Sequence, residues 1–129
     1  MREILFRGKS IEPSTEGKWW YGSLVIHGSC FYILPENPIT PLGIVKYRVD
    51  PETVGQYTGM TDKNGTKSFE GDIIRESYKG HERIYHVFWD DDYFAFRAKG
   101  EDITYQLDEI APSHCEVIDN IHDNKGLLK

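Results

Sequence analysis

The sequence predicts a mainly β protein, with a small β-barrel in its second half and a β-rich module ahead of it. Two observations carry this. Helical periodicity is nearly absent, while short runs of alternating, aromatic-rich residues recur between Gly, Asn, Asp and Pro. In the second half these runs are five in number and closely connected, which suits a sheet that closes on itself and removes its exposed edges.

Each expected element has its own reason. Residues 4–7 read as a first strand and 14–18 as a turn. Residues 19–26, beginning Trp19-Trp20-Tyr21, read as a long strand, and His27-Gly28-Ser29 turns the chain into a strand over 30–34. Pro35, Pro38 and Pro41 then remove ladder donors and fix φ, so 35–43 is a loop or connector that no central strand can run through. Asp50-Pro51-Glu52 carries the marks of a single helical turn: a capping carboxylate, a proline at the first helical position and an acid at the positive end of the dipole. The boundary between two modules, residues 1–49 and 50–129, is placed there. Strands are expected over 73–77, 84–89, 93–98, 103–107 and 116–121, with a polar loop at 79–82 and an acidic turn at Asp90-Asp91-Asp92.

At 129 residues the chain suits one ordinary domain or two small modules in one compact unit, since single cores commonly serve about 100–150 residues. Hydrophobic residues make up 39% of it, enough for burial to offset the entropy of ordering. No apolar run approaches the roughly 18–20 residues needed to span a bilayer, and the first residues lack the pattern of a signal peptide. A cytoplasmic protein without a membrane partner is expected. Cys30 and Cys115 lie far apart with no paired spacing, so two free thiols are expected. Fifteen Lys and Arg against 21 Asp and Glu give a formal charge of −6, which disfavours non-specific nucleic-acid binding.

The most patterned stretch is "YTGMTDKNGTKSFEGDII", residues 57–74. Asp62, Asn64, Glu70 and Asp72 could supply oxygen ligands to calcium, but Gly65 follows Asp62 by only three positions, not the five of an EF-hand loop. Asn64-Gly65 is instead a strong hairpin signal, because both residues tolerate positive φ. Beyond it, Phe69 and Ile73 are expected in the core, Gly71 at a bulge or close backbone approach, and Asp72 on loop amides. Asp62, Asn64, Gly65, Phe69, Gly71 and Asp72 are therefore read as a structural motif rather than a catalytic or metal site. Asp90, Asp91 and Asp92 read as a solvated turn, with a magnesium or calcium site as the sharper alternative. The five histidines show no metal-ligand spacing, and no catalytic motif or phosphate loop is present. Trp19-Trp20-Tyr21, alternating along one strand, divides between a core face and an exposed face and is the candidate interaction surface.

Three pieces, "MREILFRGK" with "GKWWYGSLV", "VDPETVGQYTGMTDKNGTKSFEGDII" and "CEVIDNIHDNKGLL", together resemble the YopX family of phage and prophage proteins. The central piece is the most specific; Thr66, Ser68 and the segment from Asn37 to Gly43 depart from the pattern. The resemblance implies a β-rich fold, an SH3-like barrel in the C-terminal part and action inside a bacterial host. It implies no known reaction and no catalytic residues. A non-enzymatic binding module without cofactor is expected, with a protein partner or self-association, including homo-oligomers, ahead of nucleic acid. The alternatives are a nucleic-acid accessory protein, using cations such as Arg2, Arg7, Lys9, Lys18, Lys46 and Arg48, and a metal-assisted hydrolase.

Overall fold

A computed structural model describes residues 2–124. The chain is mainly β and divides into two compact units, the first ending at Tyr57 and the second beginning at Thr58. The division falls a few residues beyond the 49/50 position expected from the sequence.

The first unit is built on β1 (Phe6–Lys9), β2 (Trp19–His27), β3 (Cys30–Leu34), the two-residue β4 (Ile39–Thr40) and β5 (Gly43–Ile44), and β6 (Tyr47–Val49). Its main antiparallel sheet runs β6-β3-β2-β1 and continues to the start of β7 (Gly55–Thr61), where Gly55 and Gln56 pair with Arg7 and Phe6. The first strand forms over 6–9 rather than 4–7 because its register partners are residues 19–22, Lys9 opposite Trp19 and Phe6 opposite Gly22. Beyond β1, an isolated bridge joins Ser10 to Val49, flanked by hydrogen bonds from the Asp50 N–H to the Lys9 carbonyl (2.9 Å) and from the Ile11 N–H to the Arg48 carbonyl (3.3 Å). This draws the end of β1 against β6 and curls the sheet over Ile33 and Val49, both fully buried. Gly22 permits the curl: a Cβ there would lie 1.8 Å from the Leu34 carbonyl oxygen. The turn at Pro51–Thr53 is capped by the Asp50 carboxylate, which accepts from the Glu52 N–H at 3.0 Å.

In the second unit, the end of β7 forms a hairpin with β8 (Lys67–Phe69). A five-stranded antiparallel sheet follows, in the order β12-β11-β10-β9-β13, from β9 (Asp72–Tyr78), β10 (His81–Asp90), β11 (Ala95–Lys99), β12 (Thr104–Gln106) and β13 (Cys115–Asn120). Alternation puts Ile74, Tyr85, Val87, Ala98 and Cys115 on one face, and Leu107 and Ile110 close over them. Burial of this face supplies the main stabilisation, at roughly 25 cal/mol per Å² of apolar surface.

Three expectations are corrected here. Among the described residues no ladder joins β12 to β13, so the sheet is open rather than a closed barrel. Strand β12 is only three residues long, and single helical turns at Leu107–Glu109 and Pro112–His114 occupy the path a closing ladder would need. The strand expected over 93–98 begins at Ala95, not Tyr93, because Asp91 to Phe94 form the turn and Phe94 takes φ +50°. The expected polar loop at 79–82 contracts to Lys79-Gly80, whose φ values of 50° and 81° belong to a two-residue hairpin turn; His81 and Glu82 are already in β10.

Candidate functional site

The 57–74 stretch is organised by two carboxylates that accept from backbone amides. Asp62 is 5% exposed. Its Oδ1 accepts from the N–H groups of Asn64 (2.8 Å) and Thr66 (2.9 Å), and its Oδ2 from that of Val117 (2.8 Å). Burial alone would raise its pKa; the three amides outweigh burial and hold the carboxyl below its ordinary value. Only Gly65 has positive φ in this turn, at 80°, with its N–H donated to the Asp62 carbonyl. The hairpin is therefore closed by one left-handed glycine, and Asn64 stays at negative φ, unlike the expected two-residue turn with both at positive φ. Asp72, 2% exposed, accepts from the Phe69 N–H at 2.7 Å. Gly71, at φ +90°, donates to the Val87 carbonyl and accepts from the Ile121 N–H, both at 2.8 Å, a double approach made at a turn rather than a strand bulge. The stretch thus gathers Asp62, Asn64 and Gly65 in one turn and Phe69, Gly71 and Asp72 around a second, in which Glu70 also lies.

The acidic turn is pre-ordered by its neighbours. Asp90 pairs with Arg97 at 3.1 Å and accepts from the Asp92 N–H, while Asp91 accepts from the Trp89 indole N–H at 2.9 Å. The Arg97 guanidinium also lies over Tyr93, 4.0 Å from the ring centroid. Among the described residues no group of three His, Cys, Asp or Glu side chains is placed to hold a metal ion. Cys115 is pushed up to about 11 by burial first and then by Glu76 and Asp62, so its thiol stays protonated near neutrality and is a poor nucleophile. His86 is lowered by burial and by Lys99, which favours its neutral form.

In the first unit, Trp20 stacks on Tyr47 with centroids 3.6 Å apart and planes within 3°, and Lys18 lies over it at 4.3 Å. Trp19 faces the other way, under Arg7 (4.7 Å) and Lys9 (6.0 Å), and Tyr21 on that same face is 48% exposed. Lys46 covers Tyr32 at 4.5 Å. Strand alternation thus separates Trp20 from Trp19 and Tyr21, and the cations settle on aromatic rings of both faces.

Sequence reasoning missed the hairpin β4–β5. Ile39 and Ile44 face each other across it, 80% and 68% exposed, and Leu42 at its tip is fully exposed. Thr40 braces the turn, accepting from the Leu42 N–H and donating to the Gly43 carbonyl. The available signal was three large aliphatics spaced among three prolines, masked by reading the prolines only as breakers.

The model of the YopX protein family matches residues 15–129. The chain belongs to the YopX family. A crystal structure of protein EF1440 from Enterococcus faecalis superposes with a TM-score of 0.59 at 20% identity, covering 100% of both chains, so this YopX protein shares its fold. No curated protein matches the chain.

Proposed function

We propose that this YopX protein is a non-enzymatic binding module of a prophage or phage, acting in the cytoplasm of the bacterial host through contact with a protein. The carrying observation is the β4–β5 hairpin, whose Ile39, Leu42 and Ile44 are held out by a braced turn. Three aliphatics exposed together suit a protein surface and not a phosphate backbone. Tyr21 and Val25, on the outer face of β2, are further exposed apolar residues of the same unit. In the second unit, a fifth strand that returns to pair with the first after a helical turn supports an SH3-like ancestry for the open sheet. The test is retention of host or phage proteins on immobilised wild-type and Leu42→Asp protein. Loss of the same bands with the folded variant supports the reading; equal retention overturns it.

One observation favours nucleic acid as a second reading. The first unit holds six Lys and Arg against six Asp and Glu, and the second nine against fifteen, so the formal charge of −6 belongs to the second unit alone. The cations on Trp19, Trp20 and Tyr32 form the basic, aromatic pattern that single strands use. DNA and RNA binding across a salt series decides it, because phosphate contacts weaken steeply as salt rises.

A further inference from the structure

Strand β10 is ten residues long, but its two neighbours do not cover it equally. Along one side β9 pairs with 81–86, whereas β11 on the other side pairs only with 86–90. The cause is Gly100. Its N–H turns back to the Ile103 carbonyl (2.8 Å), and a Cβ there would lie 2.9 Å from the Tyr85 ring, so only glycine lets the chain leave β10 at this point. A groove of about 780 Å³ opens between 82–86 and 99–103.

Parity shows which backbone groups face this notch. The two-residue turn at Lys79-Gly80 makes Tyr78 and His81 a hydrogen-bonded pair, and the Val87 carbonyl accepts from Gly71 on the β9 side. Odd-numbered residues of β10 therefore direct their N–H and C=O groups toward β9, and even-numbered ones away from it. His86 and those after it meet β11; Glu82 and Ile84 meet the groove. No strand among the described residues pairs with that side of 82–84. Ile84 (39% exposed) and Ile103 (46%) give the groove an apolar patch, and Glu82, Glu101 and Asp102 outnumber Arg83 and Lys99 around it.

We propose that this notch is a strand-addition site for an extended peptide segment of a partner protein, antiparallel to β10, with a branched aliphatic opposite Ile84 and a lysine or arginine opposite Glu82. The segment completes the ladder that β11 abandons: main-chain bonds to Glu82 and Ile84 give affinity, and the aliphatic and basic positions two residues apart give selectivity. The site lies wholly in the second unit and stands independently of the β4–β5 hairpin.

The probe is a labelled synthetic pentapeptide with isoleucine second, lysine fourth and threonine elsewhere, added to the full chain. Its binding is expected to slow hydrogen exchange of the Glu82 and Ile84 amides about tenfold, the signature of a newly paired edge. N-methylation of the isoleucine and lysine amides abolishes binding, and N-methylation of the central threonine, which points away, leaves it intact. Ile84→Pro removes the notch donor without touching the β9 ladder and weakens binding by a similar factor. Absence of binding, insensitivity to the N-methyl pattern, or protection mapping elsewhere overturns the proposal. So does sedimentation showing that Ile84→Pro instead dissociates a complex of two copies through this edge.

Discussion

The two units reach order by different means. The first relies on backbone proximity: a curled sheet, glycines where strands approach, and large apolar groups left outside. The second relies on side chains: a continuous apolar face and buried carboxylates tied to backbone amides. Asp62 is the clearest case, bonding within its own turn and also to Val117, a residue 55 positions on. The first unit presents side chains, with Ile39, Leu42 and Ile44 uncovered on a projecting hairpin, while the second presents the backbone edge of β10 beside Ile84.

Substitutions should sharpen this contrast. The largest expected effect is Ile74→Ala, which opens a cavity under Tyr85 and Val117 and should cost about 3–4 kcal/mol in denaturant unfolding. In the first unit a comparable break comes from adding an atom: Gly22→Ala drives a methyl onto the Leu34 carbonyl and should cost about 3 kcal/mol by the same measurement. If Gly22→Ala proves neutral, backbone proximity is not what holds the first unit.

Asp62→Ala should cost about 2–3 kcal/mol at neutral pH by stranding amides of Asn64, Thr66 and Val117. The sign of its pH dependence is set by a folded-state pKa held below the ordinary carboxylate value. The contribution is present above that value and is lost as pH falls through it toward the lower folded pKa. Unfolding followed below pH 4 should therefore show a steeper loss for the wild type than for Asp62→Asn, whose side chain does not titrate. The smallest effect is Leu42→Ser, expected to shift stability by less than about 0.5 kcal/mol because the side chain is fully exposed. A larger cost would mean that Leu42 serves the fold and not a partner.

Much of the strand pattern was legible because alternation and turn chemistry are local. Residues 30–34 form β3 as read, Asp50 caps its turn, and the second half yields five paired strands. Boundaries drifted where a distant partner set them: β1 moved toward Lys9 to meet Trp19, and β11 began late because the Arg97 pair with Asp90 and the left-handed Phe94 lengthened the turn. The aromatic strand was legible as two-faced, since alternation requires it, but its sequence did not reveal that Tyr47 would cover Trp20 or that Arg7 would sit on Trp19.

By itself the sequence determined a mainly β chain, turns at His27-Gly28-Ser29 and Asn64-Gly65, the resemblance of the central motif to a family, and the use of Asp72 on backbone amides. These follow from conformational preferences of residues within a few positions of one another. Only the tertiary structure decided that the C-terminal sheet stays open, that the 39–44 hairpin projects its aliphatics, and that β10 outruns β11. Those outcomes turn on which strands run out first and on single close approaches such as Gly100 against Tyr85, and such coincidences exist only once the chain is folded.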